Sequence, residues 1–151
     1  MISYEKGDIF DADVEALVNA VNCSGVMGAG LALEFKDRWP KMFRAYREAC
    51  DSRNVTVGKI HVWPTQKPSP RFILNFPTKR LWRERSHLDY VRDGLEDLVD
   101  VVESLSITSI AIPALGCGLG GLAWKDVRPL IAKKFSPLYD VKTLIYEPKG
   151  G

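Results

Sequence analysis

One stretch of the chain decides the fold, because there an apolar run passes directly into a glycine-rich loop: Glu15-Ala16-Leu17-Val18-Asn19-Ala20-Val21-Asn22-Cys23-Ser24-Gly25-Val26-Met27-Gly28-Ala29-Gly30. The apolar run predicts a buried strand, and the residues after it predict a helix that begins near Gly28. Glycine allows the backbone to approach a ligand closely, and the N–H groups at a helix N-terminus favour an anion. Strand, glycine loop and helix in this order therefore predict an anion-binding cradle.

A second glycine loop follows the same plan later in the chain. A predicted strand over residues 109–113 leads into Ala114-Leu115-Gly116-Cys117-Gly118-Leu119-Gly120-Gly121, and a helix is predicted to begin near Ala123. The first loop fits neither a Walker A loop nor the dinucleotide fingerprint G-x-G-x-x-G. Two nearly uncharged cradles instead indicate a diphosphate ester that backbone N–H groups hold between them. The structural alternative is that each loop is only a tight turn.

Short apolar runs rich in β-branched residues alternate with longer amphipathic stretches along the chain. Strands are predicted over residues 2–6, 15–22, 59–63, 72–76, 109–113 and 143–146, and helices over residues 28–38, 41–50, 86–105 and 123–135. Ser86 is the predicted N-cap of the third helix. The alternation predicts one α/β domain over residues 1–151, in which helices cover both faces of a mixed, mostly parallel sheet and ligands bind where strands end.

Composition narrows the class of protein. Hydrophobic residues make up 46% of the chain and charged residues 26%, as in globular domains, and no apolar run approaches the roughly 18 residues of a membrane span. The cysteines, Cys23, Cys50 and Cys117, are odd in number and widely spaced, which disfavours both a disulfide framework and a metal cluster. The N-terminus lacks a secretory signal, so we expect a cytoplasmic protein. From the short apolar runs we expect no membrane contact, and from the scattered cysteines we expect no metal. No cofactor is expected either.

At three places the chain resembles the macro domain family: Gly7-Asp8-Ile9, Ala16-Leu17-Val18-Asn19-Ala20-Val21-Asn22 and Ile112-Pro113-Ala114-Leu115-Gly116-Cys117-Gly118. Two further segments look most like the terminal ADP-ribose protein glycohydrolases and the DarG-type antitoxins of that family: Val26-Met27-Gly28-Ala29-Gly30-Leu31-Ala32-Leu33-Glu34-Phe35 and Asn75-Phe76-Pro77-Thr78-Lys79. The resemblance implies a three-layer macro domain fold and an enzyme that removes ADP-ribose from thymidine in single-stranded DNA, reversing a DarT-type toxin. Because DarG-type proteins carry a further C-terminal region, we expect the chain to be an excised domain.

The resemblance also implies which residues contact ADP-ribose. Asp8 would accept a hydrogen bond from the adenine amino group beside the Ile9 backbone, Tyr146 would form a wall for the ring, and Asn22 would face the distal ribose. The other implied contacts are Asn19, Gly25, Val26, Met27, Gly28, Gly30, Leu115, Gly116, Cys117, Gly118, Leu119 and Gly120. The residue types alone also allow Asp8 to be a turn carboxylate, Asn22 a local cap and Tyr146 a core residue.

The predicted catalytic residues are Lys79 and Asn22. Lys79 follows an apolar strand, where its deprotonated amine could attack the anomeric carbon of an opened ribose and form a Schiff base. The terminal ADP-ribose protein glycohydrolases pair this lysine with an aspartate, but the matching position here is Gly120. Proton transfer is then left to Asn22, bound water or the substrate. Without the resemblance, Lys79 fits a solvated surface lysine. A thiolate nucleophile at Cys117 or Cys23 has no histidine placed to activate it.

A basic segment follows the lysine directly, and its cations flank an aromatic ring: Arg80-Leu81-Trp82-Arg83-Glu84-Arg85. Such a surface can follow a phosphate backbone and stack a base, so Arg80, Trp82, Arg83 and Arg85 are predicted to bind DNA. A solvated basic loop is the alternative. The expected partners are ADP-ribose, ADP-ribosylated single-stranded DNA and a DarT-type toxin. Two other functions stay open: hydrolysis of ADP-ribosylated protein carboxylates, and binding of ADP-ribose without turnover.

Overall fold

The chain folds around one six-stranded sheet, and a computed structural model describes residues 1–149. The strands are β1 (Ile2–Glu5), β2 (Ala16–Val21), β3 (His61–Pro64), β4 (Phe72–Pro77), β5 (Ser109–Ile112) and β6 (Lys142–Tyr146). The helices are α1 (Gly30–Arg38), α2 (Pro40–Asp51), α3 (Leu88–Ser104) and α4 (Trp124–Phe135). Every predicted strand and helix is present, and its ends differ from the prediction by at most two residues. Within the described residues, no helix has the length and apolar character needed to cross a membrane.

The sheet order is β1-β6-β5-β2-β4-β3. All neighbouring strands are parallel except β3, which runs antiparallel to β4 at one edge. The predicted mixed, mostly parallel sheet is therefore confirmed. Because parallel strands end at the same edge of a sheet, the segments that follow β1, β2, β4, β5 and β6 all emerge together.

Helices cover both faces of the sheet, as predicted, and each face has its own apolar core. On one face, Leu95 of α3 and Ile131 of α4 pack in the same cluster as Val18 of β2. On the other face, Phe35 of α1 packs in the same cluster as Leu17, the residue that precedes Val18 in β2. Successive residues of β2 thus serve opposite layers, as the period of a strand requires. This strand is buried on both sides and anchors the first glycine loop.

The predicted N-cap of α3 is wrong. The helix begins at Leu88, and its N-cap is His87, whose side chain makes no capping hydrogen bond. The Ser86 hydroxyl lies 2.9 Å from the Thr78 hydroxyl instead, and the Ser86 N–H donates to the Gly120 carbonyl. Ser86 is 7% exposed. The sequence pattern did not predict this, because the Ser86 side chain pairs with a tertiary neighbour rather than with the free N–H groups of the helix.

A partly exposed carboxylate, Glu15, holds together the opposite end of the sheet, away from the glycine loops. Glu15 Oε1 accepts hydrogen bonds from both the N–H and the hydroxyl of Thr108, each at 2.7 Å. Glu15 Oε2 pairs with the Arg71 guanidinium at 2.7 Å. The Thr108 hydrogen bonds, and then the Arg71 contact, lower the pKa of Glu15 from 4.5 to about 2. Glu15 therefore links the segments before β2, β4 and β5.

Replacing this carboxylate should remove stability that depends on pH. A lowered pKa in the folded state means that the stabilisation is complete above the ordinary value of 4.5 and is lost as the pH falls towards about 2. We expect Glu15→Gln to lower the free energy of unfolding by about 1–2 kcal/mol at pH 7, allowing for the partial exposure of the pair. Urea unfolding from pH 7 to pH 2 should show the two proteins converging. The control is Glu103→Gln at an exposed position, which should leave stability unchanged. A difference between the wild type and Glu15→Gln that stays constant across this pH range would contradict the role of the ionised Glu15 carboxylate.

Candidate active site

A cavity of about 930 Å³ opens at the edge of the sheet where β2, β4 and β5 end. Its walls are the first glycine loop with the start of α1, the segment between β4 and α3, and the second glycine loop. The volume falls within the range of cavities that enclose a nucleotide-sized ligand. The two loops that the sequence singled out thus face each other across one cleft.

Asn22 fixes the shape of the first loop. Its Nδ2 donates to the Val26 carbonyl at 2.9 Å, and its Oδ1 accepts from the Ser24 N–H at 2.9 Å. The buried Tyr46 hydroxyl lies 2.8 Å from the same Oδ1. The local-cap role that the residue type allowed is therefore present. The second N–H of the carboxamide has no acceptor within residues 1–149, and it can contact a ligand because Asn22 lines the cleft.

Both glycine loops present unused donors. Backbone N–H groups in the loops have no protein acceptor within residues 1–149: those of Gly28, Ala29, Gly30, Gly118, Leu119 and Gly120. The loop at residues 28–30 also forms the N-terminus of α1, where the helix dipole favours negative charge. The arrangement can bind an anionic group from two sides, which is what a diphosphate requires.

Lys79 lies in the wall of this cleft and is half-buried. Its position is set by the end of β4, because the N–H of the preceding Thr78 donates to the Val21 carbonyl at 2.9 Å. Lys79 forms no ion pair with any carboxylate of the described chain. An amine is thus available beside the two loops, with no carboxylate partner to hold it.

Gly120 has no space for a side chain. A Cβ at this position would overlap Ser86 Oγ and would lie 2.6 Å from the Gly116 carbonyl oxygen. An aspartate, or any other side chain, would therefore not fit at this position without movement of Ser86 or of the Gly116 carbonyl. Ser86, predicted only as a helix cap, and Thr78, to which no role was assigned from the sequence, line the cleft instead. Only their closeness in sequence to Lys79 could have indicated them.

The residues expected to hold adenine lie along the same edge of the sheet, beyond the walls of the cleft. Asp8 Oδ1 accepts from the Phe10 N–H at 2.9 Å and caps a short 3-10 turn, which leaves its second oxygen without a protein donor among the described residues. Tyr146 ends β6. Its pKa is raised by burial and by the carboxylates of Glu5, Asp11 and Asp8. Ile9 is buried beside them.

Four expected ADP-ribose contacts support the cleft without lining it. Asn19 is fully buried, and its Nδ2 donates to Asn75 Oδ1 at 3.1 Å, so its predicted ligand contact gives way to a role inside the sheet. Leu115 is fully buried in the core. Gly25 has a φ of +82° and makes the turn of the first loop. Cys117 donates its thiol hydrogen to the Leu115 carbonyl at 3.6 Å.

The cysteine thiols are poor nucleophiles in this structure. Burial, followed by the charge of Asp126, raises the pKa of Cys117 to about 11. Burial likewise raises the pKa of Cys23 to about 11. A thiolate is the reactive form of cysteine, and neither thiol forms one near neutral pH. The rival thiolate mechanism therefore has no support in the geometry.

The basic segment forms the outer rim of the cleft. Trp82 is 53% exposed. Its backbone N–H donates to Ser24 Oγ at 3.2 Å, which connects the segment to the first loop. The Arg83 guanidinium lies 5.8 Å from the Trp82 ring centroid, and both residues line the cleft. Arg80 and Arg85 are exposed on the same segment. Trp82 and Arg83 thus lie in the cleft wall with Lys79, whereas the Arg80 guanidinium lies 5.6 Å from the Tyr90 ring centroid and Arg85 packs against Gly121, outside the wall.

Comparison with known proteins adds to this geometry. A model of the Macro domain family matches residues 18–131. A Mycobacterium tuberculosis protein named DNA ADP-ribosyl glycohydrolase is 52% identical over 152 residues, covering 100% of this chain and 43% of that protein. The macrodomain of Mycobacterium tuberculosis DarG superposes with a TM-score of 0.97 at 51% identity, over 99% of both chains. Thermosipho africanus DarTG in complex with ADP-ribose gives 0.93 at 33% identity, over 99% of this chain and 42% of that one. The chain spans less than half the length of these longer relatives.

Two glycines of the second loop test its packing against the Ser86 segment. Gly120→Ala is expected to lower the free energy of unfolding by about 1–3 kcal/mol, because the added Cβ overlaps Ser86 and crowds the Gly116 carbonyl. In Gly118→Ala the Cβ meets nothing within 4 Å, so stability should change by less than about 0.5 kcal/mol. Urea unfolding of both variants gives the comparison, and equal stabilities would mean that the close approach at Gly120 does not exist.

Proposed function

The chain belongs to the macro domain family, and we propose that it is an ADP-ribosyl glycohydrolase that removes ADP-ribose from thymidine in single-stranded DNA. The observation that carries the proposal is the position of Lys79, whose amine lines a cleft between two glycine loops with unused N–H donors. A binding module needs only the loops. An amine without a carboxylate partner beside them supplies the group that a covalent reaction requires.

In the proposed complex, ADP-ribose lies along the edge of the sheet. Adenine would sit near Tyr146, with its amino group donating to the Asp8 carboxylate and the Ile9 backbone beside it. The diphosphate would accept hydrogen bonds from the unused N–H groups of both glycine loops, at residues 28–30 and 118–120. The distal ribose would then reach Lys79 and the free N–H of Asn22. The longer relative DarTG, whose structure contains ADP-ribose, supports a ligand of this class.

The proposed reaction transfers the anomeric carbon of the distal ribose from the thymine nitrogen to Lys79 and then to water. The ribose ring opens as the bond between the anomeric carbon and the ring oxygen breaks, the neutral Lys79 amine adds to that carbon, and the bond to the thymine nitrogen then breaks. The two hydrogens of the amine end on the ring oxygen and on the thymine nitrogen. The Schiff base that results is hydrolysed by water, which releases ADP-ribose and regenerates the amine. Gly120 offers no acid or base, so water and the substrate's own hydroxyls carry the protons, with Asn22 orienting the sugar.

The DNA part of the proposal rests on the rim of the cleft. Arg80, Arg83 and Arg85 can contact phosphates while the exposed Trp82 ring stacks on a base next to the modified thymidine. The relative named DNA ADP-ribosyl glycohydrolase supports the same substrate. A DarT-type toxin would be the partner enzyme that produces the modification which this chain removes.

Removing the amine should separate catalysis from binding. We expect Lys79→Ala to reduce the rate of ADP-ribose release from ADP-ribosylated single-stranded DNA at least about 100-fold. Its affinity for free ADP-ribose should stay within about threefold, because the diphosphate contacts are unchanged. The matched control is Lys142→Ala, an exposed lysine at the opposite end of the sheet. Undiminished release by Lys79→Ala would refute the covalent mechanism, and binding without release by the wild type would favour a reader.

The rim should make turnover on DNA depend on salt. The logarithm of kcat/KM for ADP-ribosylated single-stranded DNA should fall linearly with the logarithm of salt concentration, more steeply than the affinity for free ADP-ribose. Arg85→Gln should reduce the slope by about one, because it removes one phosphate contact. Arg128→Gln, on the exposed side of α4, is the control and should leave the slope unchanged. Equal slopes for DNA and ADP-ribose would favour a protein carboxylate as substrate.

A further inference from the structure

Two buried hydroxyl groups lie side by side in the wall of the cleft, next to Lys79. Thr78 Oγ1 and Ser86 Oγ are 2.9 Å apart, and the two residues are 3% and 7% exposed. Both line the cleft. The function proposed above does not use them, although Thr78 directly precedes the lysine. Buried polar groups beside a ligand site call for an account of every hydrogen bond they can make.

This pair has one donor that the protein does not use. Two hydroxyls carry two hydrogens, and one of them forms the bond between the oxygens. Within residues 1–149, neither hydroxyl has any other hydrogen-bond partner. A buried donor without an acceptor is unfavourable, so the second hydrogen must find its partner in the cleft, from water or from a ligand. The pair is thus completed only by something that binds there.

The backbone holds Ser86 firmly in this position. The Ser86 N–H donates to the Gly120 carbonyl at 3.0 Å, and the next N–H, that of His87, donates to the Thr78 carbonyl at 3.1 Å. The space around Ser86 Oγ is so closely fitted that a Cβ at residue 120 would overlap it. The serine hydroxyl is therefore fixed between the second glycine loop and the residue before Lys79. A hydroxyl that cannot move away is suited to orient a ligand.

We propose that the Thr78 hydroxyl donates to Ser86 Oγ, and that Ser86 donates its own hydrogen to an oxygen of the distal ribose. The contact holds the sugar against Lys79 and distinguishes ADP-ribose from ADP, which lacks that ribose. The inference rests on the proposed ADP-ribose site but concerns residues to which that site assigned no role. The Ser86 hydroxyl occupies the space that a side chain at residue 120 would need, so the contact also accounts for the glycine there.

The test compares two ligands that differ only in the distal ribose. Calorimetric titrations with ADP-ribose and with ADP would be carried out on the wild type, Ser86→Ala, Thr78→Val and Thr78→Ser. Ser86→Ala should weaken ADP-ribose binding roughly three- to tenfold, the worth of one hydrogen bond, and leave ADP binding within twofold. Thr78→Val should produce a smaller loss of the same kind, because Ser86 loses its orienting donor. Thr78→Ser keeps the hydroxyl and should therefore keep the wild-type affinity for ADP-ribose.

A buried hydroxyl remote from the cleft provides the matched control. Thr143 on β6 is fully buried, and Thr143→Val should change neither affinity. Equal losses for ADP and ADP-ribose in Ser86→Ala would show that the serine only shapes the loop, and no loss for either would show that it makes no contact. Both results overturn the inference while leaving the proposed function intact. A wild type that fails to bind ADP-ribose would overturn the proposed function itself.

Discussion

The parallel pairing of β2 with β4 is the constraint on which the cleft depends. Val21 is in register with Pro77, so Asn22 and Thr78 leave the sheet side by side. The hydrogen bond from the Thr78 N–H to the Val21 carbonyl continues the pairing for one step past the strands. A slip of one residue in this register would turn every side chain of β4 to the other face and would move Lys79 with them. The placement of the amine beside the first loop is thus a property of the sheet.

Both loops are shaped by the protein before any ligand binds. The Asn22 side chain, itself held by the Tyr46 hydroxyl, fixes the first loop through the Val26 carbonyl. The Ser86 N–H fixes the second loop through the Gly120 carbonyl. These bonds use the groups that face inward and leave the N–H groups that face the cleft. A site that is already formed needs little ordering when it binds, so more of the interaction with a diphosphate appears as affinity. The same rigidity places the proposed reacting sugar at a defined distance from Lys79.

The fold could be predicted from the sequence because hydrophobic periodicity and glycine loops are local signals. Periodicity placed β2 and α3, and the order of strand, loop and helix identified both walls of the cleft. The direction of individual side chains was harder to predict. Asn19 lies inside the sheet, two residues before the end of β2, where its side chain donates a hydrogen bond to Asn75. Ser86 was misassigned as a cap because its side chain pairs with Thr78 and its N–H pairs with Gly120, which only the fold brings close to it.

Release of ADP-ribose from two defined substrates shows whether the cleft acts on a DNA base. One substrate is a single-stranded oligonucleotide that carries ADP-ribose on one thymidine, and the other is a protein ADP-ribosylated on glutamate. Free ADP-ribose is followed over time with the same amount of enzyme. We expect release from the oligonucleotide at a rate at least about tenfold above that from the protein substrate, a difference of about 1.4 kcal/mol in activation free energy. No release from the oligonucleotide would rule out a DNA base as the substrate, even if the enzyme still bound free ADP-ribose.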